Sequence, residues 1–298
     1  MISLVLRYYP GIAIVMEISL GTVVCCLLGL VLCGYCKLQS WKKPNGLVVM
    51  NLLAADLVNG MIAPLQAAYI HCLLNEIKAA ELFRTIFFFQ SLFLWVSLLI
   101  MNLLSISRLI AILVPLRYTS IVNLRTTGIL LTAFWVTGIT NSLLKRYVTN
   151  YNHFQYFVAG LLFHLILNVV ILGLAFFSIL VLNVYGERSQ SRIRATKTVI
   201  VVSLSYFVSY SYYIYVNIVW MIPNLPYHTT NEWIIFTAVG KWSLSLAHLF
   251  LLINSLFNGV IFGLQPKIKE AIKDIWVPDY YRYSLLREAR EARSSGTQ

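Results

Sequence analysis

The sequence predicts an all-α membrane protein: a seven-helix transmembrane bundle followed by a short amphipathic helix. Three observations predict it. Only 11% of the 298 residues are charged while 59% are hydrophobic, against roughly a quarter charged in a soluble domain. The mean hydropathy is +0.76. Seven apolar runs, at 11–36, 46–71, 85–112, 127–144, 156–185, 198–222 and 233–263, each approach or exceed the roughly 20 residues that cross a hydrocarbon core. In lipid every backbone N–H and C=O must be satisfied within its own segment, so such runs are helices, and they are too continuously apolar for barrel strands. The expected organisation is one seven-helix domain over residues 1–276, including an interfacial helix at 264–276, then a disordered cytoplasmic tail at 277–298.

The first run carries Glu17 and has no small-residue cleavage site, so it reads as a span and not as a cleaved signal peptide. Lys and Arg orient the chain. With the N-terminus outside, sixteen fall in inner segments, among them Lys37, Lys42, Lys43, Arg117, Arg125 and Lys267; only Arg7, Lys78, Arg84, Lys145 and Arg146 fall outside. The cysteines Cys25, Cys26, Cys33, Cys36 and Cys72 leave only Cys72 on the oxidising side, so no extracellular disulfide is expected. No Asn-x-Ser/Thr sequon occurs.

The second span holds Asp56 in "NLLAADL". A carboxyl there is costly without polar partners. Ser97 in the third span and Asn254, Ser255 and Asn258 in the seventh offer them. Asn254 and Asn258 are four apart and share a helix face. These groups suit either a pocket for a cation such as Na⁺, through hard oxygen ligands, or a hydrogen-bonded network with no ion.

In the third span Gln90, Leu94, Ser97, Met101, Leu104 and Arg108 recur in steps of four and three, one stripe of one helix. Arg108, at the inner end, either snorkels to the interface or awaits a partner protein. The third inner loop, "YGERSQSRIRATK", is short and basic, and the tail ends "ARSSGTQ". In "GLQPKIKEAIKDIW", Leu264, Ile268, Ala271, Ile272 and Trp276 share a face while Lys267, Lys269 and Lys273 snorkel, as an interfacial helix requires. No cysteine follows it to carry a palmitoyl anchor.

Several functions are disfavoured. His71, His153, His164, His228 and His248 show no metal-ligand spacing, so an enzyme is not expected. The net charge of +12 fits a basic inner face near anionic membrane lipid and no nucleic acid, since no soluble domain is present. A cation-coupled transporter using Asp56 stays open as an alternative, but neither an internal repeat nor paired Gly/Pro breaks support it.

Taken in order, "NLLAADL", "SRLIAILVPLRY", Trp135 and "NSLFNGVIF" with the interfacial helix after it resemble the rhodopsin-like (class A) G-protein-coupled receptors over nearly the whole chain. The resemblance implies a receptor for an extracellular ligand, a heterotrimeric G-protein partner and a plasma-membrane location. Ser107, Arg108, Pro115 and Arg117 become the coupling positions, with Arg108 like the arginine that inserts toward the G-protein. Asp56, Ser97, Asn254, Ser255 and Asn258 match the family's sodium pocket. Phe207 in "SYFVSYSYY" resembles the sixth-span switch phenylalanine.

The departures carry information too. Ser107 stands where an acidic residue normally pairs with the arginine, which implies a weaker inactive-state restraint and higher basal activity. Ser211 and Tyr213 replace the sixth-span tryptophan and proline, Gly259 the seventh-span proline and Phe262 the tyrosine. The sixth helix therefore lacks its proline hinge, and Gly259 is the expected source of flexibility. Phe83 lies near the place of the family's third-span outer cysteine. Leu252 stands in place of a Schiff-base lysine, so no retinal is expected. Gln90 stands where amine receptors have an aspartate. The implied ligand pocket, Gln90, Ser91, Leu94, Ser211, Ile214, Tyr215 and His248, suits a small, weakly polar or lipid-like molecule, although Gln90 and His248 equally fit ordinary interhelical hydrogen bonding. "PLRYTSIVNLRTT" and "IFGLQPKIKEAI" lean toward the odorant receptors. A degenerate, non-signalling receptor is the remaining alternative.

Overall fold

The computed structural model describes residues 2–75, 77, 80–147, 200–212 and 230–276, with scattered helical positions between 159 and 180. The long helices are α1 (Ile2–Lys37), α2 (Pro44–Leu74) and α3 (Ala80–Leu113). A single turn, α4 (Tyr118–Ile121), leads into α5 (Leu124–Tyr147). Beyond it come α6 (Ile200–Tyr212), α7 (Thr230–Gly263) and α8 (Pro266–Trp276). Regular structure among the described residues is helical throughout.

Four segments, Gly11–Lys37, Pro44–Cys72, Arg84–Ala111 and Leu246–Gly263, are long and apolar enough to cross a membrane. They coincide with the first, second, third and seventh expected spans. The fourth is helical as α5, but five threonines and an asparagine between Thr126 and Asn141 dilute its apolar character. Most of the fifth span, the outer part of the sixth, the third inner loop and the tail at 277–298 lie outside the described residues.

Lipid tails provide no hydrophobic drive for helices to associate, so close backbone approach must do the packing. Glycines supply it here. Gly21 of α1 lies against Ala63 and the Gly60 carbonyl of α2, and Gly60 in turn faces Val24 and Cys25. On α7, Gly259 receives Leu27 and Leu28 of α1, and Gly263 receives Val31. Gly34, near the inner end of α1, seats Ile268 and Ile272 of α8. The helix α2 runs unbroken through Pro64, which neighbouring helices make tolerable in a membrane. Packed inside are Leu28, Leu52, Leu98, Met101 and Tyr206, all fully buried.

The expected amphipathic helix forms as α8, with Ile268 and Ala271 buried. Leu264 is a correction. It sits in the turn before α8 and is exposed, because the helix starts only at Pro266, whose missing N–H suits a first turn. The Trp276 side chain lies outside the described residues.

Candidate functional site

The third-span stripe turns inward as its spacing predicts: Gln90, Leu94, Ser97, Met101 and Leu104 are buried and Arg108 is half-buried. It meets α2, α6 and α7 around a polar core. The Asn258 side-chain amide donates to Asp56 Oδ2 at 2.7 Å, both groups buried. Asn254, one turn outward, accepts from Ser205 Oγ of α6 at 2.7 Å. Ser255 donates along its own helix to the Leu251 carbonyl at 3.1 Å.

Asp56, Ser97, Asn254 and Ser255 line one cavity together with Asn59, Gln90 and Leu94. Its volume is about 10 Å³, room for one water-sized particle. One carboxylate with surrounding hydroxyl and amide oxygens is a hard donor set of the kind Na⁺ accepts. The cavity joins the expected sodium pocket to two of the expected ligand positions, and it is too small in this conformation for an organic molecule.

Expected ligand positions also make contacts outside this cavity. The Gln90 amide reaches Gln66 Oε1 of α2 at 3.3 Å, and Ser91 Oγ donates to Ser142 Oγ of α5 at 3.2 Å. Ser211 donates back to the Phe207 carbonyl of its own helix at 2.7 Å. His248 takes up the interhelical hydrogen bonding that the sequence left open: its buried Nδ1 lies 2.7 Å from Glu17 Oε2 of α1. Ile214 and Tyr215 lie outside the described residues.

Two expected switch residues are also corrected. Phe207 is 37% exposed and looks outward, while Tyr206 is 1% exposed. Tyr206 and Tyr210, one turn apart, stack with ring centroids 3.6 Å from each other. Adjacent helical residues point about 100° apart, so matching by sequence alone placed the inward aromatic one position too late. Gly259 is a packing notch: a Cβ there would sit 2.8 Å from Leu28 Cδ2 and 2.9 Å from Leu27 Cδ2. That close approach to α1 argues for attachment, not for a hinge. Phe262 packs in the core as a buried side chain.

At the inner end, Ser107 Oγ is buried and donates to the Leu104 carbonyl at 2.8 Å. It is therefore spent on its own helix. Arg108 Nε is buried without a hydrogen-bond partner, and no acidic group pairs with Arg108 among the described residues. Its electrostatic neighbours are the Tyr35 and Tyr118 hydroxyls. Tyr118 donates to Asn45 Oδ1 of α2 at 2.9 Å, which ties the segment after α3 to the start of α2. Between them, the 3₁₀ turn Pro115–Arg117 leaves Arg117 exposed and Leu116 96% exposed; the Pro115 side chain lies outside the described residues. Trp135 of α5 donates from Nε1 to Asn51 Oδ1 at 3.2 Å, so two of the quoted motifs bind each other.

Sequence reasoning missed the Glu17–His248 pair and the inward Tyr206–Tyr210 stack. An acid inside the first span was a usable signal for the former, since such a group needs a partner.

Comparison with known proteins adds the family. The model of the 7 transmembrane receptor (rhodopsin family) matches residues 29–262. Chemokine XC receptor 1 of Homo sapiens is 22% identical over 196 residues, covering 59% of this chain and 55% of that receptor. The chain thus spans about half the length of this curated relative.

Proposed function

The chain belongs to the rhodopsin family of seven-transmembrane receptors, and we propose that it senses an extracellular small, weakly polar or lipid-like ligand and activates a heterotrimeric G-protein. It is a seven-helix, multi-pass membrane protein and a signalling receptor, not an enzyme. The transporter alternative loses its support, because the carboxylate it relied on sits among residues of a receptor fold.

Arg108 is the observation that carries coupling. A guanidinium at the inner end of α3, with a buried Nε left unpaired and the neighbouring Ser107 hydroxyl turned to its own helix, is a charge-assisted donor with no carboxylate to hold it among the described residues. Beside it, exposed Leu116 and Arg117 offer one apolar and one cationic contact to an acidic partner surface. The mechanism is population shift: a ligand favouring the open inner state makes Arg108 accessible. With no acid beside the arginine among the described residues, that state is populated without ligand as well. The excess of Lys and Arg in inner segments supports an extracellular N-terminus, a cytoplasmic C-terminus and a plasma-membrane location. The sequence supports one domain over 1–276 with a cytoplasmic tail after it.

Na⁺ is the occupant we infer for the Asp56 cavity, on the strength of its size and oxygen donors. The ligand class rests on the neutral character of Gln90, Ser91, Leu94 and Ser211, and on the small cavity that a ligand must widen. An odorant is one such molecule. The likeness to human chemokine XC receptor 1 supports a second reading, a chemokine as ligand.

The test is G-protein activation in cells at matched surface levels, basal and with panels of small volatile molecules and of chemokines. Basal signalling that Arg108→Ala abolishes and Ser107→Asp lowers is the expected result. Silence toward every G-protein class at good surface expression would mean a degenerate receptor.

A further inference from the structure

One buried acid–base pair is used by neither the polar core nor the coupling end. Glu17 and His248 are 0% and 1% exposed and meet at 2.7 Å, although 231 positions separate them. Around Glu17, α1 turns Ile12, Val15, Met16 and Ile18 outward. A modest rotation of α1, or its withdrawal from α7, therefore breaks the contact with His248 and turns the carboxyl toward the apolar face of α1. Breaking a buried hydrogen bond between polar side chains beside hydrocarbon is costly for a membrane helix.

The pair sits at the outer end of a seam that continues to the inner face. Gly259 and Gly263 take α1 side chains into the surface of α7, as described above. At the inner end Tyr35 donates to Gln265 Oε1 at 3.4 Å, and Lys37 lies 3.9 Å from Asp274 of α8. The glycine notches fix how closely the helices approach but resist sliding and rotation poorly, since their contacts are apolar and non-directional. A buried side-chain hydrogen bond is directional.

We propose that Glu17 and His248 are a latch that sets the rotation of α1 against α7, so that α1, α7 and α8 move between receptor states as one body. This departs from the flexible seventh helix that Gly259 led us to expect. It holds whatever the receptor binds or couples to.

The test uses the full-length chain, purified in detergent, with Glu17→Leu, His248→Leu, both together, and the exchanged pair Glu17→His with His248→Glu. Thermal unfolding and hydrogen–deuterium exchange are read on each. Either single substitution should lower Tm by about 10 °C and raise exchange several-fold along residues 12–24, with exchange along α3 unchanged. The double Leu variant should lose less than the two singles summed, and the exchanged pair should recover most of Tm and protection. Additive losses, an exchanged pair no better than the singles, or loosening spread equally over α3 would overturn the latch. Should the singles fail to fold, the exchanged pair still decides, because a generic packing role gives it no reason to recover.

Discussion

Replacing Gly21 with alanine tests whether close approach of α1 and α2 holds the frame together. A Cβ at Gly21 meets the Ala63 side chain and lies 3.0 Å from the Gly60 carbonyl oxygen. A carbon and a carbonyl oxygen normally rest at about 3.3–3.6 Å. Ala63 Cβ and Gly60 O are not the ends of flexible side chains, so no rotamer change relieves the clash and the helices must part. Overpacking of this kind costs about 1–3 kcal/mol. Alanine also gains about 1 kcal/mol of helix propensity over glycine, which offsets part of that cost. Gly29, on the same helix with nothing within 4 Å of its would-be Cβ, isolates the propensity gain. The difference between Gly21→Ala and Gly29→Ala is therefore the packing cost, roughly 3–10 °C in Tm for a chain of this size. The assay is the folded fraction remaining on size-exclusion chromatography after heating the purified receptor. If Gly21→Ala proves as stable as Gly29→Ala, the notch does not hold the helices at this separation and the packing argument fails for Gly60 and Gly259 too.

Three further outcomes are expected. Tyr206→Ala removes a buried ring and costs about 3–5 kcal/mol, whereas Phe207→Ala changes stability by less than about 1 kcal/mol; a reversed order in thermal unfolding would restore Phe207 as the inward residue. Asp56→Asn keeps the shape of the polar core but removes the charge. The unaltered receptor should gain Tm in NaCl over choline chloride by mass action, and an equal gain in Asp56→Asn would rule Na⁺ out of the cavity. Trp135→Phe loses only the Nε1–Asn51 hydrogen bond at 3.2 Å and should cost about 0.5–1.5 kcal/mol; no loss of Tm would make that contact incidental.

The elements most legible in sequence are those whose environment is set by lipid. Run lengths near 30 Å located α1, α2, α3 and α7, because the bilayer dictates length and apolarity without reference to any partner. The stripe from Gln90 to Arg108 was legible for a related reason: its helical period records which face avoids lipid. The interfacial helix was legible from its lysines and isoleucines, and only its start shifted, from Leu264 to Pro266. Asp56 and Asn258 found each other as their cost in lipid required.

Where sequence reasoning erred, it transferred a position without its rotation. Phe207 and Tyr206 are neighbours in the chain, and no local property of α6 says which of two aromatic residues faces inward. Gly259 read as a source of flexibility because a glycine's effect depends on what packs against it, and Leu27 and Leu28 are more than two hundred positions away. His248 read as a ligand residue because nothing near it in sequence declares Glu17.

The sequence by itself determined that this protein crosses the membrane as helices and that an arginine ends the inward-facing stripe of the third span, while the resemblance to seven-helix receptors rested on its motifs in their order. The spans and the stripe follow from hydrocarbon thickness, the cost of buried charge and the 3.6-residue period, all of which act along the chain. Only the tertiary structure decided which side chain meets which: Glu17 with His248, Ser91 with Ser142, α1 leucines with Gly259. Such pairings depend on how each helix is rotated and how deeply it sits, and those are fixed by contacts between helices, not by any stretch of sequence within one.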